Sequence, residues 1–276
     1  MQLPGGLIID GERRRDYSFR AVTGELELEL SENALQATSH PARVSAVLLR
    51  ALQRIAGCEP NAGLIGRLSV GDRQFLMRRL AIHIDDSLSW LSAKCGSCGE
   101  PFDIPLRHSE LPVKAAGEGY PEKVIESALG RLRVRVPSGS DQELVARVED
   151  DDEALRTLLS RLIRHADSGA EVAPESLDAG LIALIESQVE AMAPEVATEL
   201  LADCPVCRQQ NRVTATPYAS MQRPTGELFS EIHRLALHYH WGEAEILALP
   251  RSRRHTYLAL IDRTRGMRSA ERFIEG

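Results

Sequence analysis

The chain has 276 residues, enough for one large domain or two smaller ones, and its 43% hydrophobic content is ample for a buried core. Its 33 basic and 40 acidic side chains give a formal net charge of −7, which disfavours unguided binding to nucleic acid or to an anionic membrane surface. The sequence contains no run of about 18 apolar residues, so we expect no membrane span.

Cysteine content and the amino-terminal residues indicate a reducing compartment. The chain has five cysteines, an odd number, and its first segment is interrupted by Pro4, Gly5 and Gly6, unlike the continuous apolar stretch of a signal peptide. We therefore expect a cytoplasmic protein, in which closely spaced cysteines are metal ligands rather than disulfide partners.

Residues 1–90 mix strand and helix patterns and are expected to form an α+β region. Residues 25–30 alternate strictly between Glu and Leu, which predicts a half-buried strand. Apolar residues between Pro41 and Gly57 recur at helical spacing and predict one helix, and Val70–Ile84 predicts a second.

The segments 91–107 and 201–216 are expected to be the two halves of one zinc ribbon, each made of a strand, a two-cysteine turn and a return strand. Residues 108–200 between them are predicted to be a mainly helical insertion, and residues 217–276 a carboxyl-terminal helical region. The predicted fold class is thus α+β, mostly helical with short strands, with a split four-cysteine zinc ribbon and a helical tail.

Within the insertion, residues 131–136 alternate as a strand, and residues 152–166 and 177–192 have helical patterns. Pro194 is predicted to open a further short helix. The carboxyl-terminal region is expected to be helical from Pro224 onward. One apolar face of its first helix is predicted to carry Phe229, Ile232, Leu235, Ala236 and Tyr239.

Two matched cysteine pairs supply a complete ligand set for one structural zinc ion. They are Cys95 with Cys98, and Cys204 with Cys207. The 105 residues that separate Cys98 from Cys204 must then form an insertion whose ends meet. The spacing favours one shared zinc site, with unmetallated knuckles and a redox pair as the alternatives.

The first knuckle is followed by Gly99, which suits the positive φ that zinc knuckles need at this position. The second has Arg208 in the corresponding place and Pro205 inside the turn, so we expect it to close less tightly.

Other chemistry-bearing residues have ordinary structural interpretations. Cys58 follows a predicted helix end and is expected to be a small, half-buried side chain. His233, His238 and His240 have no acidic partner in register, and the acidic residues 149–153 suit the start of a helix. The sequence contains no phosphate-binding loop, nucleophile elbow, zinc-protease helix or dinucleotide fingerprint, so no enzyme is predicted.

Residues 228–260 resemble a known family, that of the T-even-type phage baseplate hub assembly chaperones, which belong to contractile tails and tail-derived injection systems. The segments that carry the resemblance there are Glu231-Ile232-His233, Tyr239-His240-Trp241, Glu245-Ile246-Leu247-Ala248-Leu249, Arg253-Arg254 and Tyr257-Leu258. Three further stretches fit in the same order around the cysteine pairs: Ser39-His40-Pro41, Gly71-Asp72-Arg73 and Arg135-Val136-Pro137-Ser138-Gly139-Ser140-Asp141.

The resemblance implies a non-enzymatic assembly factor or minor structural component of a phage-like contractile tail baseplate. Its implied partners are baseplate hub or wedge proteins, and its place is the bacterial host cytoplasm or the phage-like particle. No small-molecule substrate is expected. The alternative is a zinc-ribbon adaptor that binds nucleic acid through the arginine-rich tail; a zinc hydrolase is disfavoured, because four cysteines leave no open metal position.

The predicted partner surface lies on the last helices. Trp241 and Tyr257 are expected to be exposed and flanked by Arg253 and Arg254, which suits a patch or helix-in-groove contact. The other interpretation of Trp241 is that it closes a corner between two helices.

Overall fold

The computed structural model describes residues 1–216, 218 and 225–272, so the predicted helix start at Pro224 lies outside the described residues. Within them, helices and strands both contribute to the fold. The helices are α1 (Gly24–Gln36), α2 (His40–Ala51), α3 (Ala62–Arg67), α4 (Val70–Ile84), α5 (Gly139–Val145), α6 (Asp151–Leu162), α7 (Ala179–Met192), α8 (Thr225–Tyr239), α9 (Glu243–Leu247) and α10 (Arg251–Arg272), with one-turn 3-10 helices at His108–Glu110 and Pro174–Ser176.

The strands form small antiparallel sheets. They are β1 (Gln2–Ile9), β2 (Glu12–Phe19), β3 (Leu52–Ile55), β4 (Ser89–Lys94), β5 (Pro101–Leu106), β6 (Val113–Lys114), β7 (Glu122–Ser127), β8 (Gly130–Arg135), β9 (Ile163–His165), β10 (Glu195–Val196), β11 (Glu199–Asp203) and β12 (Gln210–Thr214). The sheets have the orders β1-β2-β3 and β7-β8-β9 and the pairs β4-β5, β6-β10 and β11-β12. Among the described residues, no helix combines the length and apolar character that a bilayer crossing requires.

The amino-terminal core lies between the β1-β2-β3 sheet and helices α2, α3 and α4. Leu3, Leu48, Ile55, Leu76 and Met77 are completely or almost completely buried in it. The helix predicted over Val70–Ile84 is confirmed as α4, which Ser69 caps by accepting a hydrogen bond from the amide of Asp72. No pattern in the sequence predicted the hairpin of β1 and β2.

The strand predicted for residues 25–30 is wrong, because these residues lie in helix α1. Thr23 caps the helix by accepting from the amide of Leu26, and the acidic side chains of its first turn favour the positive end of the helix dipole. Glu and Leu are both good helix formers. Helix α1 lies between two hydrophobic clusters, which explains the alternation: Leu30 packs against the amino-terminal core, whereas Leu28 packs against the carboxyl-terminal helices.

Two predicted helices end earlier than expected because a short strand follows each. The helix predicted between Pro41 and Gly57 ends at Ala51, and the next four residues are β3, which pairs with β2. The helix predicted to reach Ala166 ends at Leu162, and the following residues are β9, which pairs with β8. In both cases the apolar pattern continues from helix into strand.

The segment 108–200 contains one three-stranded sheet with helices on one face. Leu132 and Val134 of β8 point to α6 and α7 and are fully buried, together with Ile163 of β9. The helix expected after Pro194 is wrong, since strand β10 follows and pairs with β6. The two ends of this segment therefore meet, as the cysteine spacing requires.

The last three helices pack around a cluster of their own. Its buried members include Leu235, Ile246 and Ile261. The predicted apolar face of α8 is confirmed for Ile232, Leu235, Ala236 and Tyr239, which pack in this cluster, but Phe229 is 48% exposed.

Arg73 connects three segments in the interior. Its side chain is buried, its Nη1 donates to the Ser45 hydroxyl at 2.7 Å, and its Nη2 donates to the carbonyl oxygen of Pro41 at 2.7 Å. Ser45 in turn donates to the carboxylate of Glu143 on α5. A buried guanidinium is tolerated only with such partners, so α2, α4 and α5 have to keep this arrangement.

Gly139 allows α5 to approach Arg73. A Cβ at this glycine would lie 2.1 Å from Nη1 and 2.7 Å from Cζ of the Arg73 guanidinium. The main chain fixes the same contact, because the Gly139 amide donates to the Leu68 carbonyl at 2.9 Å and the Val70 amide donates to the Pro137 carbonyl at 3.1 Å. Any side chain at residue 139 would separate the two segments.

Asp72 holds the amino-terminal hairpin on the same helix start. Its buried carboxylate accepts from the amides of Gly5 at 2.7 Å and Gly6 at 2.9 Å, and from the hydroxyls of Ser69 and Tyr120. Burial raises the pKa of Asp72, while these hydrogen bonds act in the opposite direction.

We expect Gly139→Ala to lower the free energy of unfolding by about 1–3 kcal/mol, because the added methyl group overpacks against a guanidinium that has no room to move. The measurement is urea denaturation followed by circular dichroism. Gly226→Ala is the control, since a Cβ at Gly226 meets nothing within 4 Å. Equal stabilities of the two variants would contradict the close contact between Gly139 and Arg73.

Candidate metal centre

Two β-hairpins bring the four cysteines together. The first, β4 and β5, carries Cys95 and Cys98 in its turn, and the second, β11 and β12, carries Cys204 and Cys207. The predicted strands on both sides of each cysteine pair are thus confirmed. The inner faces of the hairpins pack on each other through Leu91, Phe102, Ile104, Ala202 and Val213.

The four sulfur atoms form a compact cluster. The Sγ atoms of Cys95 and Cys207 are 3.6 Å apart, those of Cys98 and Cys204 are 3.7 Å apart, and all four lie within 4.8 Å of one another. Cys95 and Cys204 are buried, and the other two are exposed. This arrangement can bind one metal ion with four sulfur ligands, and it leaves no position for a substrate.

The two knuckles have the same backbone turn. The Gly99 amide donates to the carbonyl of Cys95 at 3.0 Å, and the Arg208 amide donates to that of Cys204 at 2.9 Å. Gly99 and Arg208 both have positive φ, 78° and 63°. The expected looser closure of the second knuckle is therefore wrong: Arg208 adopts the conformation that glycine favours.

The cysteine thiols influence one another electrostatically. Backbone amides of Cys98 and Ser97 lower the pKa of Cys95 to about 6, so its thiolate forms readily. The Glu100 amide lowers the pKa of Cys98, but partial desolvation and the neighbouring thiols outweigh it and raise that pKa to about 12. Four thiolates therefore need a cation among them to coexist.

Asn211 joins the two knuckles, and nothing in the cysteine spacing predicted it. Its Oδ1 accepts from the amide of Gly96 at 3.0 Å, and its Nδ2 donates to the Cys95 Sγ at 3.6 Å and to the Gln209 carbonyl at 2.7 Å. One side chain of the second hairpin thus orients the turn of the first, as partners of metal ligands commonly do.

The four predicted partner-binding residues differ in their exposure to solvent. Trp241 is half-buried, stacks on Tyr239 with ring centroids 4.8 Å apart, and meets the edge of Tyr257 at 5.0 Å. Trp241 and Tyr257 are half-buried and not exposed as predicted, and their packing agrees with the interpretation of a corner between helices. Arg253 is exposed.

Arg254 lies in the interior, which excludes it from a partner surface. Its side chain is completely buried, and its Nε donates to Glu231 at 3.0 Å and its Nη1 to the Leu249 carbonyl at 3.0 Å. Its Nη2 donates to Glu27 of α1. The sequence analysis missed this ion-pair cluster because Glu27 is more than 200 residues away along the chain.

The remaining candidates are placed as expected. Cys58 is half-buried against the amino-terminal core, and His233, His238 and His240 are exposed. The acidic run starts α6, where Asp150 caps the helix. No family model, curated protein or solved structure matches the chain.

We expect Gly99→Ala and Arg208→Gly to have opposite effects on stability. The first places a Cβ at positive φ and lowers the free energy of unfolding by about 1 kcal/mol. The second removes that strain at the equivalent position and raises it by about 0.5 kcal/mol, after the entropic cost of glycine. The added Cβ at Gly99 would meet only Lys94 Cε, at 3.8 Å, so steric overlap does not intervene.

Thermal denaturation of both variants beside the wild type measures this pair. Shifts of the same sign would show that the two knuckles do not share one turn.

Proposed function

We propose that this protein is a non-enzymatic assembly factor or minor structural component of the baseplate of a phage-like contractile tail. It acts through protein contacts with hub or wedge proteins, and one structural zinc ion clamps its cysteine hairpins. It belongs to the bacterial cytoplasm or to the particle assembled there.

The observation that carries the proposal is the meeting of three resemblance motifs around Arg73. Pro41 of the first motif accepts a hydrogen bond from Arg73 of the second, and Gly139 of the third lies against the same guanidinium. About 30 positions separate the first motif from the second, and more than 60 separate the second from the third. Their contact is therefore tertiary. The residues on which the resemblance rests thus have a joint architectural role, and this supports the proposal.

The cysteine geometry supports zinc. Four thiolates placed about 2.3 Å from a central Zn²⁺ in a tetrahedron are roughly 3.8 Å from one another. The two short sulfur distances, 3.6 and 3.7 Å, are close to that value. Zinc with four sulfur ligands is a structural centre, because it has no open coordination position.

The clamp would fix the segment between the hairpins. The hairpins flank residues 108–200, and the first and last strands of that segment, β6 and β10, pair with each other. A zinc ion would therefore fix the ends of the segment, and the contact between Arg73 and Gly139 fixes its helix α5. Together they would give a partner a rigid surface to bind.

The carboxyl-terminal helices offer exposed apolar side chains to such a partner. Leu237 and Phe229 of α8 are 60% and 48% exposed, and Arg253 of α10 is exposed as well. Exposed hydrophobic side chains and arginines are both typical of binding surfaces between proteins.

The nucleic-acid adaptor is less well supported. The first hairpin, residues 89–106, has one basic residue, Lys94, against Glu100 and Asp103. In the second, residues 199–214, Arg208 and Arg212 are balanced by Glu199 and Asp203. Arg251 and Arg254, which contributed to the arginine-rich tail, are paired with Glu27. This pairing removes Arg251 and Arg254 from the positive charge that the tail could offer to phosphate groups.

For the metal, we expect one zinc ion per chain by inductively coupled plasma mass spectrometry. Cys95→Ser removes one ligand and is expected to lower the zinc content to near zero and to abolish cooperative unfolding, because zinc binding and folding are coupled. Cys58→Ser is the matched control and retains the metal. Folded wild-type protein without zinc would rule out the clamp.

For the function, we expect the tagged protein to retain a hub or wedge protein when co-expressed with the tail genes of its own system. Leu237→Glu and Arg253→Glu are expected to lower the retained amount at least fivefold, because they place negative charge on the proposed surface. Leu155→Glu, at an exposed leucine of α6, is the control. A wild-type protein that stays alone in the presence of all these partners would refute the assembly role.

A further inference from the structure

The outer face of the β7-β8-β9 sheet carries a cleft lined with arginines. Leu132 and Val134 of β8 point to the buried face, and the alternate residues Arg131, Arg133 and Arg135 point outward. The cleft lies where this face meets the end of α6. It is lined by Glu122, Arg133, Arg135, Arg161, Leu162 and Arg164.

A buried carboxylate holds two of these arginines in place. Asp141 is completely buried and binds Arg135 through two hydrogen bonds, at 2.6 and 2.9 Å, and the Nε of Arg161 at 2.6 Å. The amide and hydroxyl of Ser138 donate to the same carboxylate. Burial alone would raise the pKa of Asp141, but the donors outweigh it and hold that pKa well below its usual range. Asp141 thus stays ionised and keeps both guanidinium groups oriented.

The cleft retains donors that the protein does not use. In the described part of the chain, no group accepts a hydrogen bond from the Nη1 or Nη2 of Arg161, whose side chain is 41% exposed. The nearest acid to Arg133 is Glu122, and their closest atoms are 3.8 Å apart, beyond hydrogen-bond distance. Arg164 is the exception, because it is paired with Glu171 at 3.1 Å.

The charge of the cleft is opposite in sign to that of the whole chain. Its four arginines face three carboxylates, those of Glu122, Asp141 and Glu171, which leaves a local charge of +1. The chain as a whole has a net charge of −7. The cleft can therefore attract an anion locally, although the net charge of the whole protein repels anions.

The surroundings select the kind of anion. Glu122 and Glu126 line the neighbouring strand β7 and would repel a continuous phosphate backbone. Val124, which is 38% exposed on the same face, offers apolar contact to a short aliphatic side chain. Fixed guanidinium groups match the two oxygens of a carboxylate.

We propose that this cleft binds an acidic side chain of a protein partner, with Arg161 and Arg133 as the residues that contact the carboxylate. The inference goes beyond the baseplate assignment and does not depend on it, since it uses only the charges and geometry of the cleft.

Fluorescence anisotropy with a labelled peptide that carries one Glu flanked by alanines tests the proposal at low and at physiological salt. We expect saturable binding that the double variant Arg133→Gln/Arg161→Gln weakens at least tenfold. The control Arg147→Gln/Arg156→Gln removes the same charge from two exposed arginines outside the cleft and is expected to change the dissociation constant less than twofold.

Arg133→Gln alone provides a variant that leaves the Asp141 contacts intact, and it is expected to weaken binding at least threefold. Equal loss in the two double variants, or no binding by the wild type, would overturn the proposal. Tighter binding of a labelled oligothymidylate with six phosphates would also overturn it, in favour of nucleic acid. Analytical ultracentrifugation covers the remaining case: a wild-type dimer that Arg133→Gln dissociates would mean that the cleft binds a second copy of the chain.

Because the probe is a free peptide, the test is separate from partner retention. Peptide binding without any hub or wedge partner would support the cleft and refute only the baseplate role.

Discussion

The buried guanidinium of Arg73 is the constraint on which the rest of the fold depends. It needs acceptors from α2, from Ile65 of α3 and, through Ser45, from Glu143 of α5, and it excludes any side chain at residue 139. Since Asp72, the preceding residue, binds the amino-terminal hairpin, two adjacent side chains position both the first strands and the 108–200 segment. An apolar residue at position 73 would lose this directional specificity, because packing alone does not fix which carbonyl faces which helix.

The cysteine hairpins solve a different problem, which is the cost of closing a long segment. The entropic cost of bringing together the two ends of a 105-residue segment rises only slowly with its length. A single cross-link can therefore offset this cost. The contact between β6 and β10 is only two residues long on each side and is weak by itself. A metal held by one cysteine pair from each side of the segment would make that closure permanent, and Asn211 would fix the orientation of the two turns.

The features that the sequence predicts well are those specified by neighbouring residues. Helix α4 has its cap at Ser69 and the cysteine turns have their own short spacing, so both follow from local chemistry. The alternation in residues 25–30 fits a strand and a helix equally well until the two opposite neighbours of α1 are known. Burial of Arg254 depends on its partners Glu27 and Glu231, and Glu27 lies near the other end of the chain. A pattern of neighbouring residues therefore cannot predict that Arg254 is buried.

The arginines of this acidic protein therefore have distinct uses that their number does not reveal. Arg73 and Arg254 are internal and connect distant segments, which removes them from any surface that binds a partner. Arg135 and Arg161 share one buried carboxylate, which fixes their direction but leaves the outer nitrogens of Arg161 accessible. Because a guanidinium held in advance loses less entropy when it binds an anion, a few such arginines can give specificity that a more basic surface with mobile side chains would lack.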